Sequence, residues 1–186
     1  MPSKAPASNA ASQSSITATN ETTPAANLKH EHAPIQWADT DERILACRPV
    51  FIQLRLPWAD RTEVEFLAQV KLQHQQAGYR LAYVGAESGG SGTCDDGGIV
   101  KGVAGVRFQD NFCYGRFCYV DDLITDSNSR SEGWGGALLQ GLMAYSKAEG
   151  CAQLHLDSGV VRYDAHRFYL NQRMMIASHH FSIDLV

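Results

Sequence analysis

The stretch Arg130-Ser131-Glu132-Gly133-Trp134-Gly135-Gly136-Ala137 holds the residue types and spacing best suited to chemistry in this chain. Its glycines open a helix-like run in which Leu138, Leu139, Leu142, Met143 and Tyr145 recur at helical spacing. At such a junction successive backbone N–H groups point outward with no side chain in the way, and the positive end of the helix dipole lies behind them. That is a phosphate cradle, and it implies a diphosphate-bearing cofactor held by main chain. Just upstream, Phe117-Cys118-Tyr119-Val120-Asp121-Asp122-Leu123-Ile124-Thr125 reads as a buried strand carrying two acids. Adjacent strand residues face opposite sides, so one of Asp121 and Asp122 is expected in the cleft.

Two other readings of the glycines stand beside this one. They could simply permit tight helix–sheet packing. A dinucleotide fold would use Gly133 and Gly135 as the first two places of G-x-G-x-x-G, but Leu138 stands at the third, and too little chain remains for a doubly wound sheet. The pairs His30/His32 and His179/His180 suggest metal only superficially. One lies in an expected tail and the other would straddle two faces of a strand, so no metal site is predicted.

The elements that must position the cradle follow from the rest of the chain. Its 186 residues suffice for one domain with a tail, and an apolar fraction of 44% is ordinary for a globular protein. A net charge of -4 without a Lys/Arg cluster argues against nucleic acid as a partner. No apolar run reaches transmembrane length, and no secretory leader is evident, so no membrane partner is expected. Five cysteines, none two residues apart, read as free thiols in a reducing, cytoplasmic setting.

Residues 1–36 form the expected tail, rich in Ala, Ser, Thr, Asn and Pro and too poor in large apolar groups to offset the entropy of ordering. The folded domain is expected over 37–186. Ile44 to Leu56 reads as either a short helix or an extended segment. Asp60 or Thr62 would cap a helix whose apolar face is Val64, Leu67, Ala68 and Leu72 and whose stop is Gly78. Strands are expected at Tyr79–Ala86 and Ile99–Phe108, around a long Gly/Ser-rich loop from Ser88 to Gly98. After the glycine turn and its helix, which stops near Gly150, come a strand at Ala152–Asp157, a helix at Arg162–Asn171 and a last strand at Ile176–Leu185. The class is α/β (α+β): a mixed sheet flanked by helices.

These residues resemble the GNAT superfamily of acyl-CoA-dependent N-acetyltransferases. Arg130-Ser131-Glu132-Gly133-Trp134-Gly135 matches the family's Q/R-x-x-G-x-G/A loop at the expected strand-to-helix junction. Arg162-Tyr163-Asp164-Ala165-His166-Arg167-Phe168-Tyr169 supplies the family's aromatic pair on the helix after the next strand, and is closest in motif to the aminoalkylphosphonate N-acetyltransferase branch. The resemblance runs from about Arg43 to the C-terminus. Arg173 and Met174 stand where the family has a glycine and an aromatic that start the next strand, which puts that strand's entry in doubt.

The resemblance implies a mostly antiparallel GNAT-like sheet with splayed central strands and acetyl-CoA as co-substrate. Gly133, Gly135 and Gly136, with Arg130 and Trp134, would hold the diphosphate, and the pantetheine arm would pair with Leu123, Ile124 and Thr125 by strand addition. Tyr169 would be the general acid for the departing thiolate; without the resemblance it reads as a core tyrosine packed on Phe168. Asp122 would act as base through a water or as an anchor for the substrate ammonium. Asp121 and His166 would line the substrate side. The activity expected is direct transfer of acetyl to a small-molecule primary amine in a ternary complex, with a homodimer possible. The alternatives are a non-catalytic acyl-CoA sensor and a protein N-acetyltransferase.

Overall fold

The computed structural model describes residues 33–86 and 98–185. The expected tail over residues 1–32 and the loop over residues 88–97 lie outside that range. Five strands form one sheet in the order β1 (Gln36–Trp37), β2 (Arg80–Ala86), β3 (Ile99–Asn111), β4 (Gly115–Thr125) and β5 (Gln153–Leu156). Every pairing is antiparallel except β4 with β5, which is parallel. This is the mixed, mostly antiparallel sheet that the sequence predicts. The fold begins earlier than Trp37, however. Ala33 and Ile35 pack against the core, and Gly141 leaves the room that Ile35 fills, since a Cβ there would lie 2.4 Å from Ile35 Cγ2.

Helices α1 (Asp41–Phe51) and α2 (Glu63–Ala77) cover one face of the sheet. The undecided segment from Ile44 is therefore helical up to Phe51, and Leu56–Trp58 forms a short 3₁₀ turn around Pro57. Thr62, not Asp60, caps α2. The Glu65 amide donates to Thr62 Oγ1 at 3.2 Å and the Thr62 amide donates to Glu65 Oε2 at 2.8 Å, a reciprocal capping box. Gly78 ends the helix in the left-handed region at φ 65°. The predicted apolar face of α2 is corrected: Val64, Ala68 and Leu72 are exposed, while Val70 is buried and Phe66 is buried against Phe51 and Trp58. Aromatic bulk at Phe66 outweighs the smaller aliphatic stripe, because the larger area gains more from burial.

Helix α3 (Trp134–Ala148) packs on the opposite face through Leu138 and Leu142, over Ala82, Val84, Ala104, Val106, Cys118 and Val120. A last helix, α4 (Tyr163–Asn171), has no buried residue. The strand expected at Ile176–Leu185 does not form. Arg173 turns the chain through φ 63°, and the segment beyond it pairs with no described strand, leaving Ile176, Phe181, Ile183 and Leu185 exposed. This is where Arg173 and Met174 replace the family's strand-entry residues.

Candidate active site

The glycine turn joins β4 to α3, the junction that the sequence implies. The chain leaves β4 at Thr125 and passes a 3₁₀ turn, Ser127–Ser129. It then takes left-handed conformations at Ser131 (φ 63°) and Gly133 (φ 98°) before α3 begins. Gly133 is the N-cap of α3, and no side chain caps that end. The first intrahelical bond runs from the Ala137 amide to the Gly133 carbonyl at 3.0 Å, so the amides of Gly135 and Gly136 have no acceptor within the helix. Gly135 sits tight against β4: a Cβ would lie 2.9 Å from Thr125 Oγ1 and 3.5 Å from Phe168 Cζ. Trp134 is buried, its indole N–H bonded to Glu132 Oε2 at 3.0 Å, whereas Arg130 is exposed. The turn is braced from below by Asp126. That carboxylate accepts from Gln53 Nε2 at 2.8 Å and from the Asn128 amide at 3.2 Å, bonds that hold its pKa below the usual carboxylate range.

Beside the cradle the sheet opens. Pairing of β4 with β5 runs from Phe117–Gln153 to Val120–Leu156 and stops. From Asp121 to Thr125 that edge of β4 has no strand partner among the described residues, and Leu123, Ile124 and Thr125 lie there. A cleft of about 430 Å³ occupies the divergence, walled by Leu54, Arg55, Tyr119, Asp121, Asp157 and Tyr169. Uncapped amides and an open strand edge suit a linear ligand that carries an anionic diphosphate at one end and amide groups along its length.

The two acids do not obey simple alternation. On β3, Gly105 faces Asp122 while the next residue, Val106, faces Val120, so Asp121 is an extra residue in β4. This β-bulge turns both carboxylates to the α1/α2 side of the sheet, where the sequence reading placed only one in reach. Arg107 grips both oxygens of Asp121, with Nε to Oδ2 at 2.6 Å, and the pairing raises the guanidinium's pKa. Asp122 is buried, 6% exposed. Its Oδ1 accepts from Arg55 Nε at 2.5 Å and its Oδ2 from the Tyr79 hydroxyl at 2.7 Å. Asp122 is not in the cleft with Tyr169, but Asp121 is.

Tyr169 lines the cleft, and burial raises its phenol above the usual value, partly offset by the charge of Arg162. It is therefore protonated at neutral pH and can donate. Its neighbour Phe168 packs edge-on at 5.4 Å and also touches the cradle, so α4 joins the two parts of the site. His166 is half-buried on α4 and does not reach the cleft wall. His155 is packed on Tyr114 and Phe117 and does not line the cleft. Cys118 is fully buried on the α3 face, and burial pushes its thiol up to about 11, which leaves little thiolate for a covalent route.

Sequence reasoning missed Arg55, Tyr79, Tyr119 and Asp157. Tyr119 donates to Asp157, and Asp157 also meets His180 Nδ1 at 3.1 Å. No motif marks these residues; only their convergence in space does. Among the described residues no group of His, Cys, Asp and Glu is arranged to hold a metal ion, and no helix is long and apolar enough to cross a membrane.

A splayed mixed sheet with an uncapped glycine cradle at its open edge defines an acyl-CoA-type transferase fold. The profile of the acetyltransferase (GNAT) family matches residues 54–173, and the chain belongs to that family, whose acyl donor is acetyl-CoA. It is similar to the uncharacterized N-acetyltransferase YhdJ of Bacillus subtilis (strain 168), 36% identical over 73 residues. That match covers 39% of this chain and 51% of the relative, about half its length. An acetyltransferase of Trypanosoma brucei superposes with a TM-score of 0.62 at 21% identity, over 81% of this chain and 98% of that one. The glucosamine-6-phosphate N-acetyltransferase of Arabidopsis thaliana superposes with a TM-score of 0.58 at 21% identity, over 84% and 100%. AAC(6')-Iy in complex with a CoA bisubstrate analog does so with a TM-score of 0.64 at 13% identity, over 82% and 97%. At these identities the superpositions speak for the fold.

Proposed function

We propose that the chain transfers an acetyl group from acetyl-CoA to a primary amine of a small molecule, by direct attack in a ternary complex. The observation that carries this reading is that the unpaired edge of β4 at Leu123 and the Tyr169 phenol border one opening, while Phe168, next to Tyr169, lies against the uncapped start of α3 at Gly135. The structural neighbour AAC(6')-Iy, in complex with the bisubstrate analog CoA-S-monomethyl-acetylneamine, supports the same reading. Residues Arg162 to Tyr169 support the aminoalkylphosphonate-acetyltransferase-like branch as nearest in motif. Free thiols at Cys113, Cys118 and Cys151 support a cytoplasmic setting, and the exposed apolar side chains of residues 175–185 support a homodimer.

The residues fit acetyl-CoA as follows. The amides of Gly133, Gly135 and Gly136, with those of neighbouring Arg130 and Trp134, would take the diphosphate, and the main chain of Leu123, Ile124 and Thr125 would take the pantetheine arm. The co-substrate supplies an activated acetyl thioester. Tyr169 holds the proton that the departing sulfur takes up as its bond to the acetyl carbon breaks and the bond to nitrogen forms. An alkyl amine has a pKa of about 10, so it must shed a proton before attack. Asp121 lines the cleft with both oxygens held by Arg107, and Asp122 is enclosed, so neither is free to take that proton directly. Asp157 meets Tyr119 and His180 through Oδ2 only and is half exposed in the cleft, so it would hold the ammonium and pass its proton to solvent. Asp122 then serves as a fixed charge behind the site.

The test is calorimetry with acetyl-CoA followed by free-thiol release across a panel of primary amines. Binding with amine-dependent release is expected. Binding without release for any amine would instead establish the sensor reading, and release only with peptides the protein-acetylating one.

A further inference from the structure

We infer that Tyr79, acting through Asp122, fixes Arg55 as the side chain that positions the amine acceptor; this rests on the acetyltransferase reading above. Arg55 belongs to neither motif of the chain. It follows α1, its amide bonded to the Phe51 carbonyl at 3.2 Å, and its side chain crosses to β4 at the bulge. Nε donates to Asp122 Oδ1 at 2.5 Å and Nη2 to the Asp121 carbonyl at 3.0 Å. A guanidinium has five N–H donors in a rigid fork, so two bonds on one edge set its plane and leave donors over. The side chain is half exposed and lines the same cleft as Tyr169.

What holds the fork is itself held. Asp122 would swing about its χ angles with one partner, but Tyr79 supplies a second at 2.7 Å from beneath. Tyr79 is 4% exposed, and burial with the adjacent Asp122 charge raises its phenol well above 10, so the hydroxyl remains a donor. The sheet makes room for it: a Cβ on Gly105, opposite Asp122, would lie 1.9 Å from Tyr79 Oη. A phenylalanine would fill the core equally well; the hydroxyl is explained only by the carboxylate it meets. Asp122 also compensates Arg55's charge, so Arg55 presents N–H donors more than net charge. That fits an amine whose own oxygen (hydroxyl, carbonyl or carboxylate) accepts a hydrogen bond close to the reacting nitrogen.

The experiment is steady-state thiol release by the full chain with the amine that releases most, in Tyr79→Phe, Arg55→Gln and the double variant. Each single change should raise the acceptor KM about tenfold, with kcat and the acetyl-CoA KM within about threefold of wild type. The double variant should be no worse than Arg55→Gln alone, because both act through one chain of bonds. Asp122→Asn, a second break in that chain, should match Tyr79→Phe. Singles that multiply to about a hundredfold, a Tyr79→Phe that lowers only Tm, or a rise in the acetyl-CoA KM instead would each overturn the inference. No release by the wild-type chain with any amine overturns the enzymatic reading, and this one with it.

Discussion

Along β4 the acidic side chains are bonded and largely covered, while across the cleft, from the end of β5 through α4, the charged side chains are about half exposed or more. Asp121 is gripped by Arg107, Asp122 by Arg55 and Tyr79, and Asp126 by Gln53. Across the opening, Asp157 is half exposed although bonded to Tyr119 and His180, Arg162 is exposed, α4 buries no residue, and the segment after Arg173 forms no strand. Elements with few buried contacts open at low free energy. The contrast teaches that the wall made by β4 and Arg55, proposed above to take the coenzyme, is preformed. On the proposed function, the wall carrying Tyr169 is the one that would adjust as an acceptor enters.

The sharpest way to break this comparison is to spoil the rigid side. Gly135→Val would place a side chain into Thr125 and Phe168, and should weaken acetyl-CoA binding at least about a hundredfold by calorimetry, since close backbone approach is lost. Unchanged affinity would show that the coenzyme does not lie on that turn. On the looser wall, Tyr169→Phe should lower kcat about 10²-fold with little change in acetyl-CoA affinity, the range a general acid supplies. Wild-type turnover would remove Tyr169 from the chemistry.

Smaller effects refine the picture. Gly105→Ala forces a Cβ onto the Tyr79 hydroxyl and should cost roughly 1–3 kcal/mol of stability, read as a fall in Tm. An unshifted Tm would mean that the Tyr79–Asp122 contact carries no strain or energy. Alkaline pH probes Tyr119, whose phenol is raised from 10.0 to about 12 by burial and its bond to Asp157. A folded-state pKa above the unfolded one favours the protonated fold, so its contribution is complete below pH 10 and is lost as pH climbs toward 12. Tyr119→Phe should flatten that part of a stability–pH curve; an identical curve would remove Tyr119 from it.

Legibility in the sequence followed the range of the forces involved. The cradle could be read because glycine conformation and a helix start are properties of a few adjacent residues, as Gly133 at φ 98° and the uncapped α3 show. The same holds for the Thr62 cap and the Gly78 stop. The core face of α2 was misread because Val64 and Phe66 compete for a surface that only the packed sheet defines. The last strand was misread because alternation at residues 176–185 reports compatibility with a strand, not the presence of a partner.

The chain's own order of residues settled that a glycine-opened helix would follow an acid-bearing strand and that a tyrosine would stand on the next helix. Those are consequences of local backbone preference and periodicity, which need no distant neighbour. Only the folded molecule decided that one extra residue at Asp121 would swing both acids to one face, and that Arg55 and Tyr79 would close on Asp122 from 67 and 43 residues away. Strand register and ion pairing between remote segments depend on the whole sheet being assembled, so no window of sequence contains them.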